Sequence, residues 1–307
     1  MRIAFLGTPM VAVPVLERLG GLQPVQAAFC NPDRPQGRGR HLEAPPVKQT
    51  ALRLGVPVHQ PESWKLPETR ELWTSLAIDL AVVVAYGHIL PRWMLEACPL
   101  GVWNLHFSQL PRWRGASPVN HALLAGDAET GVSLMRITPG LDAGPVLAAT
   151  SCPIGLADTA ETLLERLAQD AAQLLEAWLP ALLAGSATPV PQEDALATFA
   201  PKLDRTMARL DFTHPALDLH RQVRALQPWP GVEAEVEGRL LKLCAVGGLR
   251  PSGDPAGVLA WDKAGAWLTG ADGHALELTR LQRPGKPVQP ALQALQPWGA
   301  QGRTIIR

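Results

Sequence analysis

The stretch "RIAFLGTPMVAVPVLERL", residues 2–19, decides the fold of the first part of the chain. Its beginning, "RIAFLG", is a short apolar run that ends at Gly-Thr-Pro, which predicts a buried strand entering a turn. The run "VPVLERL" then predicts a helix with Pro14 in its first turn, where the missing N–H is tolerated. A strand followed by a helix is half of a βαβ unit, so the stretch favours an α/β fold.

The same alternation continues as far as residue 106. Apolar runs that predict strands lie at 25–30, 56–59, 79–85 and 101–106, with helix-like stretches between them at 46–54, 68–76 and 92–97. Residues 132–154 predict two adjacent strands joined by a Pro/Gly loop at a sheet edge, and residues 159–184 predict a long helix. The sequence therefore predicts a Rossmann-like, mostly parallel sheet with helices on both faces.

The composition changes after the long helix. Residues 185–201 shift to Gly, Ser, Thr, Pro and acids, and we place a linker at 186–208. Beyond it, short alternating runs separated by Gly-rich turns predict a small OB-like β-barrel, interrupted by an amphipathic stretch at 216–226. The predicted organisation is a Rossmann-like domain at 1–185, the linker, and a barrel domain at 209–307.

The overall composition limits the class of protein. With 47% hydrophobic and 18% charged residues, the chain can bury a sizeable core. Its four cysteines are far apart and form no CxxC pair, which predicts free thiols, no metal site and a reducing compartment. No apolar run is long enough for a signal peptide or a membrane span. We therefore expect a soluble, cytoplasmic protein.

A dinucleotide or ATP site is not expected. The Rossmann fingerprint needs G-x-G-x-x-G after the first strand, but this chain has Gly7-Thr8-Pro9 and no further glycine before Gly20. Pro9 also lacks the N–H that a phosphate cradle would use. The crevice must therefore hold a different ligand.

The charge balance is mildly basic in residues 200–307, which is a weak indication of a phosphate-bearing ligand.

The stretch "NLHFSQLPRWRGASPV", residues 104–119, carries the candidate chemistry. Asn104 and His106 lie two apart at the end of a predicted strand, so their side chains point to the same side, at the edge where open α/β sheets bind ligands. An amide can donate to a developing oxyanion, and an imidazole can donate or transfer a proton near neutral pH. The alternative is that both side chains satisfy backbone groups of the loop.

Asp142 is the candidate third member of this group. It lies in the loop "TPGLDAGPV", where a carboxylate facing the same crevice could orient the imidazole, fix its charge and accept a proton through water. The alternative is an aspartate that only stabilises its own turn. On the residues alone, both interpretations stay open.

The chain resembles the methionyl-tRNA formyltransferase family along essentially its full length. The resemblance rests on "FLGTP", "NPDRPQGRGRHLEAPPVKQTA", "VVVAYGHILP", "NLHFSQLPRWRGASPVNHALLAGDAETGVSLMRITPGLDAGPVL" and "QPWPG", in the order and spacing of that family. Asn-x-His with a later Asp is shared by transferases that use 10-formyltetrahydrofolate. The motif "PDRPQGRG" and the C-terminal barrel are the parts specific to tRNA.

The resemblance implies the reaction and the roles of the trio. The neutral α-amino group of methionine on initiator tRNA would attack the formyl group of the co-substrate 10-formyltetrahydrofolate, and Asn104 and His106 would hold the formyl oxygen. Asp142 would keep His106 suitably charged and help to move a proton. The resemblance also implies a metal-free enzyme of translation initiation. Nothing in the sequence suggests more than a monomer.

The resemblance further implies two sets of ligand contacts. The residues that would line the folate site are Ser108, Gln109, Leu110, Pro111, Tyr86, Ile89, Leu90 and Gly140. The residues that would contact the tRNA are Arg34, Arg38, Arg40 and Lys202. Two positions depart from the family pattern: Gln109 replaces a leucine in "SLLP", and Phe107 follows the histidine where a small residue or proline is common.

Two rival functions are weaker on the sequence. The first is another formyltetrahydrofolate-dependent transferase or hydrolase, acting on a purine precursor, an amino sugar or a small amine. A purine enzyme would have a Gly-rich phosphate turn after the first strand, which is absent here. A sugar enzyme would not need the basic "PDRPQGRGR" loop. An RNA-binding protein without activity would have no reason to keep Asn104, His106 and Asp142 together. We therefore predict transfer of a formyl group to methionyl initiator tRNA.

Overall fold

The computed structural model describes residues 1–36 and 41–306, and the chain divides into two compact units. The first unit comprises Met1–Pro118, Glu129–Pro153 and Leu164–Ala200, and the second comprises Val119–Ala128, Ile154–Leu163 and Pro201–Arg307. Each unit is therefore assembled from several segments of the chain. The boundaries predicted from composition, at 185 and 208, stay predictions.

The secondary structure follows the alternation seen in the sequence. In chain order the strands are β1 (Ile3–Gly7), β2 (Val25–Phe29), β3 (Arg34–Gln36), β4 (His41–Glu43), β5 (Val58–His59), β6 (Leu80–Val84), β7 (Val102–His106), β8 (Arg114–Gly115), β9 (Glu129–Thr130), β10 (Ser133–Arg136), β11 (Val146–Ala149), β12 (Cys152–Pro153), β13 (Phe199–Ala200), β14 (Val232–Val236), β15 (Arg239–Pro251), β16 (Val258–Asp262), β17 (Gly265–Thr269), β18 (His274–Gln282), β19 (Gln289–Pro290) and β20 (Gly302–Ile305). The α-helices are α1 (Val13–Leu22), α2 (Pro46–Arg53), α3 (Pro67–Leu76), α4 (Arg92–Glu96), α5 (Pro118–Ala125), α6 (Ala160–Leu183), α7 (Ala216–Ala225) and α8 (Ala291–Leu295).

The first unit is built on a seven-stranded sheet. Its strand order is β11-β10-β7-β6-β1-β2-β5, and the five strands from β7 to β5 are parallel. Strands β10 and β11 add an antiparallel edge, as the Pro/Gly loop between them predicts. Both β1 and β6 are buried along their whole length, as is usual for parallel strands with helices on both faces. The predicted Rossmann-like, mostly parallel sheet is confirmed.

An aromatic cluster fills one face of this sheet. Trp64 and Trp73 meet edge to face with ring centroids 5.7 Å apart, and Phe29 lies 5.3 Å from Trp73. All three are buried, so the cluster joins β2 to α3 and to the chain before it. Tyr86, just beyond β6, contacts Trp64 with ring centroids 6.2 Å apart. The segment that follows β6 therefore packs against this aromatic cluster.

The second unit contains the predicted antiparallel sheet. Strands β14, β15, β18, β17, β16 and β20 are neighbours in that order, and β19 pairs with β18. The sheet is curled into a half-barrel of the OB-like kind, over a core to which α7 contributes Leu219 and Val223. The amphipathic stretch predicted at 216–226 is this helix.

The four cysteines differ in burial but not in state. Cys30, Cys98 and Cys152 are buried and Cys244 is half-buried, and all four are free thiols. Within residues 1–36 and 41–306, no helix has the length and apolar character needed to span a bilayer.

Candidate active site

Asn104 and His106 lie on β7, between the parallel strand β6 and the antiparallel strand β10. Asn104 is opposite Met135 of β10, and His106 is opposite Ser133. Asn104 is half-buried, and its side-chain amide makes no hydrogen bond to any residue that the structure describes. The interpretation that Asn104 serves the loop backbone is therefore not supported. An amide held on a rigid strand with free donors is suited to bind an oxygen atom.

The imidazole of His106 is oriented by one backbone carbonyl. Its Nε2 lies 2.9 Å from the oxygen of Trp113, and because a carbonyl only accepts, Nε2 carries the proton and donates. The side chain is only 6% exposed. The other nitrogen, Nδ1, is 3.7 Å from Oδ2 of Asp142. That separation is too long for a hydrogen bond but within the range of an ion pair, so Nδ1 is the nitrogen left for chemistry.

Asp142 reaches the histidine from the loop between β10 and β11. Its Oδ2 also accepts a hydrogen bond from the backbone N–H of Gly115, at 2.9 Å. Asp142 and Trp113, the two residues on either side of the imidazole, both have left-handed backbone, with φ of 45° and 63°. Such conformations cost energy outside glycine and are concentrated at functional sites. The structure thus brings the predicted Asp142 and His106 together.

A further segment, which the sequence did not single out, crosses both loops of this site. We call residues 190–200 the strap. Its backbone pairs with β11 through Val190 and Val146, and with β8 through β13. The side chain of Gln192 donates to the carbonyl oxygens of Asp142 and Gly144, and accepts a hydrogen bond from the Arg114 guanidinium. Composition predicted only a linker here, because bonds to distant carbonyls leave no local pattern.

Gly144 permits the close approach of the Asp142 loop to β10. A Cβ added at Gly144 would lie 1.8 Å from the carbonyl oxygen of Arg136, so the backbone would have to shift. We expect Gly144→Ala to lower the free energy of unfolding by about 1–3 kcal/mol, as overpacking commonly does. Denaturant unfolding measures this. Gly140→Ala is the control, because a Cβ there meets only the Cβ of Ala143, at 3.1 Å. Equal losses in both variants would contradict the explanation.

The loop after His106 is held from within. Ser108 is fully buried; its hydroxyl donates to the carbonyl of Arg112 at 2.6 Å, and its own carbonyl accepts from Ser133 at 2.7 Å. The Leu110 N–H donates to Ser133 Oγ, and the Leu110–Pro111 peptide bond is cis. These contacts give the predicted folate loop a defined shape. Its contact with a folate stays a prediction.

Gln109 has a structural partner in this loop. Its Nε2 lies 3.2 Å from the carbonyl oxygen of Thr150, between β11 and β12. The residue that departs from the family pattern therefore attaches its loop to the edge of the sheet. The side-chain amide of Gln109 therefore points toward Thr150.

The remaining predicted folate residues differ in exposure. Tyr86 and Leu90 are buried, whereas Ile89 is 94% exposed and Gly140 is exposed. Burial raises the pKa of the Tyr86 hydroxyl, whose oxygen has no hydrogen-bond partner among the described residues. Tyr86 and Leu90 therefore belong to the core beneath the site. Of these four residues, Ile89 is the one that offers an apolar surface for a ligand to cover.

The basic loop between β2 and α2 is anchored by a charged network. Lys48 of α2 donates to both carboxylate oxygens of Asp33, at 2.7 and 2.9 Å, and to Oε1 of Gln60 at 2.8 Å. The hydrogen bond from Lys48, followed by that from Gln60, lowers the pKa of the Asp33 carboxyl. Arg34 is exposed directly after Asp33. The network thus fixes the point at which the loop leaves the sheet.

The other three predicted tRNA residues are Arg38, Arg40 and Lys202. Arg38 and Arg40 lie outside the described residues. Lys202 is exposed in the second unit.

Burial, and then the charge of Arg34, lower the pKa of His88, whose Nε2 donates to Asn31 Oδ1 at 2.6 Å. Among the described residues, no group of three or more His, Cys, Asp or Glu side chains could hold a metal ion.

Comparison with known proteins gives matches over both units. Residues 1–179 match the family model described as formyl transferase, and residues 202–297 match that of the formyl transferase C-terminal domain. The methionyl-tRNA formyltransferase of Methylococcus capsulatus is 47% identical over 290 residues, which cover 93% of each chain. That of Halorhodospira halophila is 48% identical over 310 residues, covering 99% of this chain and 97% of the relative.

Solved structures share the fold at low sequence identity. The N-formyltransferase from Helicobacter canadensis, solved with folinic acid and dTDP-3-aminofucose, is 17% identical with a TM-score of 0.68, covering 90% of this chain and 98% of that one. The sugar 3N-formyltransferase WlaRD is 16% identical with a TM-score of 0.68, covering 94% and 99%. At such identity these likenesses show the fold alone.

Proposed function

The chain belongs to the methionyl-tRNA formyltransferase family, and we propose that Asn104, His106 and Asp142 are the residues with which it transfers a formyl group to methionyl-tRNA. The observation that carries this assignment is the unpartnered amide of Asn104 on the same strand as an imidazole that Asp142 and Trp113 orient. The donor we propose is 10-formyltetrahydrofolate, since the family uses a formyl-tetrahydrofolate.

Asn104 acts on the oxygen of the formyl group. When the methionine amine forms a bond to the formyl carbon, negative charge develops on that oxygen. The Nδ2–H groups of Asn104 are free to donate to it, and they are preorganised because β7 is held on both sides. Donors of this kind stabilise the transition state more than the ground state, and that difference accelerates the reaction.

His106 and Asp142 move the proton that the reaction transfers. The attacking amine must lose one proton, and the departing nitrogen of the folate must gain one. An α-amino group with a pKa of about 7.7–8.0 is partly neutral at physiological pH, so the site needs no strong base. Asp142 accepts the proton from the amine, directly or through water, and passes it to the unprotonated Nδ1 of His106, 3.7 Å away. Nδ1 then delivers the proton to the departing nitrogen of the folate.

The partners of the reaction follow from the family. We propose that the acceptor is methionyl initiator tRNA, that the basic loop after Asp33 contacts the tRNA, and that the enzyme works as a monomer in the cytoplasm. The charged network of Lys48, Asp33 and Gln60 supports the proposed tRNA contact, because it fixes the chain next to the exposed Arg34.

Separate assays of three acceptors test the substrate. Each assay contains the protein, 10-formyltetrahydrofolate and one acceptor: methionyl initiator tRNA, methionyl elongator tRNA or a dTDP-linked amino sugar. We expect formyl-methionyl initiator tRNA as the main product. Formylation of the amino sugar at a higher kcat/KM would keep the chemistry of the trio and overturn the tRNA substrate.

Lys48 gives a test of the loop that does not touch the trio. We expect Lys48→Met to raise KM for methionyl-tRNA about two- to fivefold, which is the range for one partly exposed ion pair, with kcat unchanged. Steady-state kinetics at saturating folate measure both constants. Arg53→Met is the control, since Arg53 lies on the same helix but pairs with Glu17. A fall in kcat alone would show that Lys48 acts elsewhere.

A further inference from the structure

We propose that Gln192 is a positioning residue that holds Asp142 against His106, acting together with the buried Arg114. This inference rests on the proposed function, since it assigns a role within the same site. Neither residue was singled out by the sequence, and both lie in the first unit with the trio.

Gln192 clamps the backbone on both sides of Ala143. Its single Nε2 atom has two hydrogens, and it lies 2.8 Å from the carbonyl oxygen of Asp142 and 2.7 Å from that of Gly144. Both donors of the amide are thus committed to the loop that presents the catalytic carboxylate. Asp142 has a left-handed backbone, a conformation that persists where the surrounding structure holds it, and the bonds from Gln192 are part of that support.

The other end of the same amide is attached to the second loop of the site. Oε1 of Gln192 accepts a hydrogen bond from Nε of Arg114 at 3.0 Å. Arg114 is 6% exposed, and its Nη2 pairs with the exposed carboxylate of Asp194 at 2.7 Å. Arg114 lies between Trp113, which binds His106 Nε2, and Gly115, which binds Asp142 Oδ2. One amide group therefore connects the backbone supports of both members of the pair.

The strap has enough backbone bonds to stay in place without this side chain. The N–H of Thr198 donates to the carbonyl of Pro111, the N–H of Arg114 donates to that of Thr198, and Val190 and Val146 bond reciprocally. Removing the Gln192 amide should therefore loosen the Asp142 loop without releasing the strap. The distance between His106 and Asp142 is the quantity that should change. Misplacement of a catalytic group by about 1 Å can cost 10²-fold in rate.

The variant Gln192→Glu separates the two ends of the amide. Glutamate keeps an oxygen for Arg114 and nearly the same shape, but it loses both donors and faces the two carbonyl oxygens with a charge. We expect kcat for formyl transfer to fall about 10- to 100-fold, with KM for methionyl-tRNA changed less than twofold. The control is Glu193→Gln, at the neighbouring exposed position of the strap, which should keep both constants.

A double variant distinguishes positioning from a general loss of structure. If Gln192 acts through the Asp142 carboxylate, Gln192→Ala should slow the wild type but cause no further loss in an Asp142→Asn background. Single-turnover rates at excess enzyme measure both. Multiplying losses would overturn the inference, as would a wild-type kcat in both Gln192 variants.

The outcomes separate this inference from the proposed function. A wild type that forms no formyl-methionyl-tRNA overturns the proposed function itself. An active wild type with unaffected Gln192 variants overturns only the role of Gln192. Near-ultraviolet circular dichroism checks folding at the assay temperature. If one variant is unfolded the other decides, and unfolding of both would contradict the inference, because it would place Gln192 in the stability of the unit.

Discussion

We expect Asn104→Ala to lower kcat for formyl transfer to methionyl-tRNA by about 10²–10³-fold, the usual effect of removing one oxyanion donor. Asn104 is half-buried on β7, and its amide donors have no partner among the described residues. Its loss therefore removes a bond to the developing oxyanion and breaks no side-chain hydrogen bond among the described residues. Steady-state kinetics measure kcat, and a binding titration should give an unchanged affinity for the folate within about twofold.

Asn104→Asp is the matched variant for this prediction. Aspartate keeps the shape of the side chain but replaces the donor by an acceptor with negative charge, next to an oxygen that also becomes negative. We expect a loss at least as large as that of Asn104→Ala. If Asn104 only filled space, the aspartate variant would retain most of the activity, and that result would exclude the assigned role.

The second large effect is expected for Asp142→Asn, which should lower kcat by about 10²–10⁴-fold, the range for loss of general acid–base catalysis. Asparagine still accepts the hydrogen bond from the Gly115 N–H, so the loop keeps that support. It lacks the negative charge that faces Nδ1 of His106 at 3.7 Å, and it cannot accept the amine proton. Single-turnover rates measure the loss.

Glu129→Gln is the control for that charge change. Glu129 is an exposed carboxylate of the same unit, bonded to Ser151, and its neutralisation should leave kcat within about twofold. Retention of near-wild-type activity by Asp142→Asn would show that the carboxylate only stabilises its own turn, which is the alternative that the sequence left open.

Local sequence pattern was sufficient to predict the five parallel strands of the first sheet and the position of Asn104 and His106 on one of them. Strand period and the turn after β7 depend on neighbouring residues, so they can be recognised in one sequence. The approach of Asp142 to His106 depends on the return of the chain through β10, which periodicity does not show. The Pro/Gly loop made Asp142 a candidate, and the resemblance to a known family gave it a catalytic role.

Other features of the site depend on contacts that no short pattern encodes. Gln192 and Arg114 meet across distant segments, and Gln192 lies in a stretch whose composition predicted only a linker. The exposure of Ile89 beside the buried Leu90 depends on how the segment after β6 turns over the aromatic cluster. The bond from Gln109 to Thr150 likewise needs the position of the sheet edge.

The most direct test of the central claim is the single-turnover rate of formyl transfer from 10-formyltetrahydrofolate to methionyl initiator tRNA. It is measured for the wild type, the three single alanine variants of Asn104, His106 and Asp142, and the triple variant. Residues that act as one unit are strongly non-additive, so the triple variant should lie within about tenfold of the slowest single variant, and at least about 10³-fold below the wild type. A triple variant that still transfers the formyl group at the wild-type rate would contradict the account, because the chemistry would then lie elsewhere.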